Sequence, residues 1–362
     1  MGNLIRYGVI GTGMMGAEHI RNILLQPDVR ITAIADPVKT SLDWAREALG
    51  SAAGDATAFD SAAALARDAS VDAVVIASPN HTHRAVLEPL FETGVAILCE
   101  KPLCTTIADA RWVVTRAASH PAPFWTGMEY RYMPPARVFI EQIHGGRIGT
   151  LRMLAIREHR FPFLVKVGDW NRFSRNTGGT MVEKCCHFFD LMRLIVRAEA
   201  TRVYCSGSMD VNHLDERYHG ERPDIIDNSF TTVDFSNGVR AMLDLCMFAE
   251  GAEHQEEISA TGERARLDVL IPPGEIVYSP RVGFRAAKAV ERTVVEVQSA
   301  ALAAGSHHGA TYYQHQAFAA AVRGNGTVEV TAEDGLRAVE IGVAAEISAR
   351  EHRSVELSEL RT

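Results

Sequence analysis

Residues 7–16 read Tyr7-Gly8-Val9-Ile10-Gly11-Thr12-Gly13-Met14-Met15-Gly16, and the text on either side decides what they are. An apolar run, IRYGVIG at 5–11, precedes the glycines, and MMGAEHIRNILLQ at 14–26 follows with apolar residues at helical spacing. Strand, glycine turn and helix together turn a weak GxGxxG match into a phosphate-cradling one. Gly11 permits the tight turn, Gly13 lets backbone approach a pyrophosphate, and Gly16 lets the helix pack close. Thr12, Met14 and Met15 lie where unpaired amides at the helix start would face the phosphates. A glycine-rich turn without a ligand is the bland alternative, and this context disfavours it.

A second apolar run, VRITAIAD at 29–36, ends on Asp36, about 20 residues past the last glycine, where a carboxylate accepts hydrogen bonds from ribose hydroxyls. The same charge would repel a 2′-phosphate. NAD is therefore the expected cofactor, with NADP less favoured and kept open by the nearby Lys39. The alternation continues: helices at 41–49 and from 60, strand VDAVVIASP at 71–79, a helix after His83, and strand VAILCEKP at 95–102. Such spacing predicts an α/β fold, a Rossmann doubly wound parallel sheet over residues 1–125.

Beyond residue 125 the texture changes. TLRMLAIRE, TRVYCSGSM, DNSFTTVDF, GVRAMLDLCM, HQEEISATG and ARLDVLI are strand-like runs with few helices between them, predicting an open, largely antiparallel sheet in a second α/β domain, 126–362. Asn237-Gly238 predicts a hairpin with a primed turn. One long helix is expected from about Gly179 to Val196, and helices again from Thr311 to Ser348 with a break at GNGTVEV.

Composition narrows the function. A 362-residue chain with 47% hydrophobic residues and no apolar stretch of membrane length reads as a soluble protein of two domains. A net charge of −8 with scattered Lys and Arg argues against nucleic acid. The six cysteines lack metal-type CxxC spacing and sit mostly in apolar runs, as reduced thiols do, so a cytoplasmic location is expected. The opening residues offer no basic leader or cleavage site, and Arg6 stands where N-myristoylation at Gly2 would want Ser or Thr; neither secretion nor a lipid anchor is expected.

At Ser78-Pro79-Asn80-His81-Thr82-His83 and Glu100-Lys101-Pro102 the chain resembles the Gfo/Idh/MocA family of glucose-fructose oxidoreductases, inositol dehydrogenases and rhizopine-catabolism proteins. HGGRIGTLR at 144–152 and AEDGLRAVEIGVAAEIS at 332–348 extend the likeness over essentially the whole chain. The resemblance implies that Ser78, Pro79, Asn80, His83, Glu100 and Lys101 lie along the dinucleotide, with Glu129 near the nicotinamide. It also implies self-association as a dimer or tetramer through an exposed sheet face.

Oxidising a secondary alcohol requires a base for the hydroxyl proton and a cation for the developing alkoxide. Lys101, at the C-terminal end of a parallel strand, can supply the cation. In Gly178-Gly179-Thr180-Met181-Val182-Glu183-Lys184-Cys185-Cys186-His187, Glu183 and His187 are four apart and would share one helical face. By the resemblance His187 is the acid/base, Lys101 completes the triad, and Glu183 orients the sugar or the imidazole. The family usually has Asp at that position and Gly in place of Cys185. A zinc site is disfavoured because no third ligand is evident, so no metal is expected. Trp170, Asn171 and Arg172, in the loop before the catalytic helix, suit a grip on a polyol, and Tyr130, Arg131 and Arg160 are further candidates for that cleft. The expected activity is NAD-dependent oxidation of a sugar, glycoside or cyclitol hydroxyl. Two alternatives use the same residues: tightly held NAD recycled during elimination or transfer, and a dinucleotide-binding sensor without catalysis.

Overall fold

The hydrophobic run at the start of the chain becomes β1 (Ile5–Ile10), buried along nearly its whole length because it lies between neighbours inside a parallel sheet. A computed structural model describes residues 4–68, 70–284 and 286–361; Gly2, weighed above, lies outside them. Helices and strands then alternate: α1 (Met14–Leu24), β2 (Val29–Ala35), α2 (Lys39–Leu49), β3 (Thr57–Phe59), α3 (Ala62–Ala66), β4 (Ala73–Ile76), α4 (His83–Leu90), β5 (Ala96–Glu100), α5 (Ile107–Ser119) and β6 (Phe124–Gly127). Their order in the sheet, β3-β2-β1-β4-β5-β6, all parallel, is the dinucleotide-binding order.

The second half runs α6 (Pro134–His144), β7 (Leu151–His159), α7 (Ser174–Thr177), α8 (Thr180–Glu183), α9 (Cys186–Val196), β8 (Ala200–Ser208), β9 (Asn228–Phe235), β10 (Arg240–Cys246), β11 (Glu256–Gly262), β12 (Ala265–Ile271), β13 (Glu275–Pro280), β14 (Glu291–Val294), α10 (Ser299–Ala303), α11 (Ala310–Val322), α12 (Ala332–Glu351) and β15 (Val355–Glu356). The strands form one sheet ordered β14-β13-β12-β11-β7-β10-β9-β8-β15, antiparallel except where β10 meets β7. Alternation of buried and half-exposed residues, as in Arg240–Cys246, puts one face on the core and leaves the other open. Met153, Tyr204, Phe230 and Met242 are exposed on that open face.

The helix α12 joins the two sheets. Thr331 caps it through a reciprocal box with Asp334, and the helix packs on α5 and β6 of the first half and on α8, α9 and β8 of the second. A Cβ at Gly335 would meet the Leu103 Cβ at 2.9 Å, and one at Gly342 the Met181 carbonyl oxygen at 2.7 Å, so both contacts are backbone-close. No described helix is long and apolar enough to cross a membrane.

Two expectations change. Gly238 has φ +84° and its amide donates to Phe235, while Asn237 keeps negative φ, so the β9–β10 hairpin uses an ordinary turn with one left-handed glycine rather than a primed turn. The helix expected over 179–196 breaks at Lys184-Cys185. The amides of Lys184 and Cys185 both donate to Thr180, and the Glu183 carbonyl accepts instead from the Cys186 thiol at 3.5 Å and from Lys101.

Candidate active site

The glycine turn is shaped by two close approaches and one opening. Gly11, at φ +82°, lies so near the next strand's loop that a Cβ would stand 2.4 Å from the Ser78 nitrogen; at Gly16 it would stand 2.1 Å from the Gly11 oxygen. At Gly13, the N-cap of α1, a Cβ would meet nothing within 4 Å. Packing therefore dictates the outer two glycines, while the middle one borders open space above the helix amides of Met14 and Met15, as a pyrophosphate cradle requires. Asp36 directly follows β2, and its carboxylate accepts from the Thr12 and Val38 amides, both at 2.8 Å, which fixes it at the rim of that cradle. These residues fit a dinucleotide.

Along the rest of the crevice, His83 is fully buried. Its Nδ1 faces the Pro102 and Leu103 carbonyls and its Nε2 the Ser78 carbonyl, so it ties the Ser78-Pro79 turn to the loop after Lys101. Asn80 is buried beside it with an unpartnered Nδ2. Glu100 accepts from its neighbour's amide at 3.1 Å and meets His19 Nε2 at 3.0 Å, and His19 Nδ1 meets His315 at 2.8 Å. Glu129 is wholly buried; burial raises its carboxyl, one oxygen accepts from Thr311 at 2.5 Å, and His307 lies 3.6 Å from the other. His307 also contacts Glu18 at 2.7 Å, and although burial opposes it, these carboxylates hold the imidazole up at about 9. No sequence pattern announced His19, His307 or His315, because they come from α1 and from the segment around α11.

Lys101 Nζ donates to the Glu183 carbonyl at 3.2 Å, which the break between α8 and α9 leaves available. His187 follows four residues later, 2% exposed. Burial, then the charges of Lys101, Lys184, His307 and Arg160, push its imidazole well below its ordinary value, so it is neutral at neutral pH. Its Nδ1 has no hydrogen-bond partner. The Glu183 carboxylate does not hold the ring: one oxygen pairs with Lys166 at 3.2 Å and the other is buried without a partner. Two residues that local spacing assigned to one helical face thus belong to separate helices.

Lys166, overlooked in the sequence, also lies 4.5 Å from the Trp170 ring centre, and Trp170 meets His81 of the first half at 6.1 Å. Trp170 and Lys166 therefore stand at the cleft. The other polar candidates each have partners within the protein. Arg131 is locked by Asp190, with Asp334 at 3.5 Å, as an ion-pair network beneath α9. Arg172 pairs with Glu216 at 2.8 Å, and Asn171 donates to the Leu164 carbonyl at 3.0 Å; both are buried and brace the loop that carries Trp170. Arg160 lies 3.7 Å from Glu158, and Tyr130 lies flat against His187. The cysteines are free; burial raises the thiols of Cys99, Cys104, Cys185, Cys186 and Cys205, so they carry no thiolate chemistry.

Residues 5–128 match the family model described as oxidoreductase family, NAD-binding Rossmann fold, and residues 140–357 match its C-terminal alpha/beta domain. The chain belongs to the Gfo/Idh/MocA oxidoreductase family. It is therefore an oxidoreductase with a nicotinamide-dinucleotide domain. A myo-inositol 2-dehydrogenase of Thermotoga maritima is 26% identical over 98% of this chain and 99% of its own. An inositol 2-dehydrogenase of Saccharopolyspora erythraea is 42% identical over 55% of this chain and 56% of its own. Levoglucosan dehydrogenase in complex with NADH superposes with a TM-score of 0.83 at 19% identity, covering 98% of this chain and 99% of that one, and shows the shared fold.

Proposed function

We propose that this oxidoreductase oxidises a secondary hydroxyl of a cyclitol, sugar or glycoside to a ketone, using NAD. With its pyrophosphate held over the glycine-lined cradle, a bound dinucleotide would supply the hydride acceptor through its nicotinamide. His187, kept neutral by burial and by surrounding cations, takes the hydroxyl proton. Lys101 stabilises the developing alkoxide, and the unpartnered oxygen of Glu183 accepts a hydrogen bond from a neighbouring hydroxyl. Trp170 with Lys166 forms one wall for the ring. Residues 1–125 hold the cofactor, 126–362 the substrate, and the open sheet face joins copies of the chain into a dimer or tetramer.

The observation that carries this reading is the meeting of Lys101, from the end of the parallel sheet, with the turn that precedes His187. The preference for NAD rests on Asp36 at the cradle's rim. The polyol class draws on relatives named as inositol dehydrogenases. A panel of inositols, free sugars and glycosides, assayed for NADH formation, tests it. Stoichiometric NADH is expected from at least one; cofactor carried through purification with no net NADH from any would favour recycled NAD instead. Lys101→Ala and His187→Ala should each lower turnover about 10²-fold or more with NAD affinity nearly unchanged, and wild-type turnover in either would remove the assignment.

A further inference from the structure

Beneath the cleft lies a layer of charge that this mechanism does not use. Lys184, from the turn between α8 and α9, meets Glu158 of β7 and feels the charge of Glu256 of β11, and each of the three is 3% exposed or less. Lys184 Nζ stands 2.9 Å from a Glu158 oxygen and donates to the Tyr130 hydroxyl at 2.6 Å. Arg160 lies 3.7 Å from Glu158, and His308 3.6 Å from Glu256. Burial raises Glu158 to about 7, and burial lowers Lys184, so the layer is held at a cost in desolvation. A site that served stability alone would be as well filled by apolar side chains, since replacing a buried ion pair that way is often neutral or favourable.

What lies on top explains the arrangement better. The Tyr130 ring and the His187 imidazole are parallel within 11°, with centres 4.0 Å apart, and Phe188 meets Tyr130 edge-on. A general base is ordinarily oriented by a hydrogen bond at its second nitrogen. In His187 that nitrogen, Nδ1, is buried without a partner, so the stack is the contact that sets the ring's tilt.

We infer that Tyr130, Lys184 and Glu158 form a positioning unit for His187, in which the buried ammonium pins the phenol and the phenol is the plate on which the imidazole lies. The inference rests on the reading of His187 as the acid/base. The ammonium is 4.8 Å from the Tyr130 ring centre, itself 4.0 Å from the imidazole, so its charge acts on His187 together with those of Lys101, Arg160 and His307, while the carboxylates of Glu129, Glu158, Glu183 and Glu256 stand on the elements packed around Tyr130, Lys184 and Lys101. Lys184→Met removes this cation, and Lys184→Met/Glu158→Gln removes it without leaving an unpaired buried carboxylate.

The test reads the His187 imidazole directly, by NMR of histidine-labelled enzyme across pH, beside the pH profile of kcat/KM. Loss of the cation at this separation should move the His187 titration up by about one pH unit in Lys184→Met, at an effective dielectric constant of about 20. The double variant should shift it less in the same direction, and the acid limb of kcat/KM should follow. Tyr130→Leu, which removes the plate, should lower kcat about 10- to 100-fold with the KM for NAD within about twofold, and Tyr130→Phe, which keeps it, should lose less. An unmoved imidazole in the double variant, or wild-type kcat in Tyr130→Leu, overturns the inference. A shifted imidazole whose shift the rate ignores would uphold it and count against His187 as the base.

Discussion

Gly13→Ala separates what folding asks of the glycine turn from what a ligand asks. A methyl at Gly13 meets nothing within 4 Å, and its φ of −68° suits any residue. Losing a glycine N-cap costs a few tenths to about 1 kcal/mol, and the stiffer unfolded chain returns about 0.4–1, so stability should change by less than about 1 kcal/mol. Binding should suffer far more. The methyl would enter the open space that a pyrophosphate is expected to fill, and losing one charge-assisted hydrogen bond to a loop amide, about 1.5–3 kcal/mol, weakens affinity about 10- to 100-fold. Thermal unfolding with NAD at 100 times the wild-type Kd reads this directly. The wild type should gain about 2.7 kcal/mol and the variant about 0.4–1.4. Gly16→Ala is the contrast, since its Cβ would collide with the Gly11 carbonyl at 2.1 Å and lower stability even without cofactor. A Gly13→Ala variant with a full NAD-induced stabilisation would refute the cradle.

Three further outcomes are expected. Asp36→Asn keeps much of the hydrogen bonding to Thr12 and Val38 but loses the charge, so calorimetry should show discrimination between NAD and NADP narrowing by about tenfold, a single hydrogen bond's worth; an unchanged ratio would contradict the ribose assignment. Arg131→Met strands Asp190, 1% exposed, and should cost about 3–5 kcal/mol in denaturant unfolding while leaving the substrate KM unchanged; adding Asp190→Leu should restore most of that stability, and failure to do so would show that the pair is not the cause. His307 has its folded value raised to about 9, above an ordinary 6.5, so its stabilising contribution is complete below about 6.5 and is lost as pH rises through 9. The stability difference between wild type and His307→Gln should shrink across that window, and a constant difference would show that the contacts with Glu18 and Glu129 are not ionic.

Four strands of the parallel sheet were legible because they are apolar runs and the first turn carries glycines at fixed offsets; the short, largely exposed β3 and the four-residue β6 were not read. Motifs singled out Lys101 and His187, and the fold brings Lys101 to the turn before His187. Their surroundings were not legible, because Lys184, Glu158, Glu256, Lys166 and His307 stand on five segments that approach only once both sheets have formed. Helical spacing also misled at Glu183, since a periodic pattern cannot reveal that a ladder bond is surrendered to a lysine 82 residues away. Arg131 and Arg172 read as ligand-binding cations, and the fold pairs them with Asp190 and Glu216, partners no local pattern revealed.

The helix α12 acts as a ruler between the segment that carries His187 and the sheet that carries Lys101. Its two notches, at Gly335 and Gly342, are seven residues apart, a rise of about 10 Å, and each seats a different half of the molecule. Adding a methyl at either notch would lengthen that gauge on one side, so damage far from the cleft would surface as a changed spacing between Lys101 and His187.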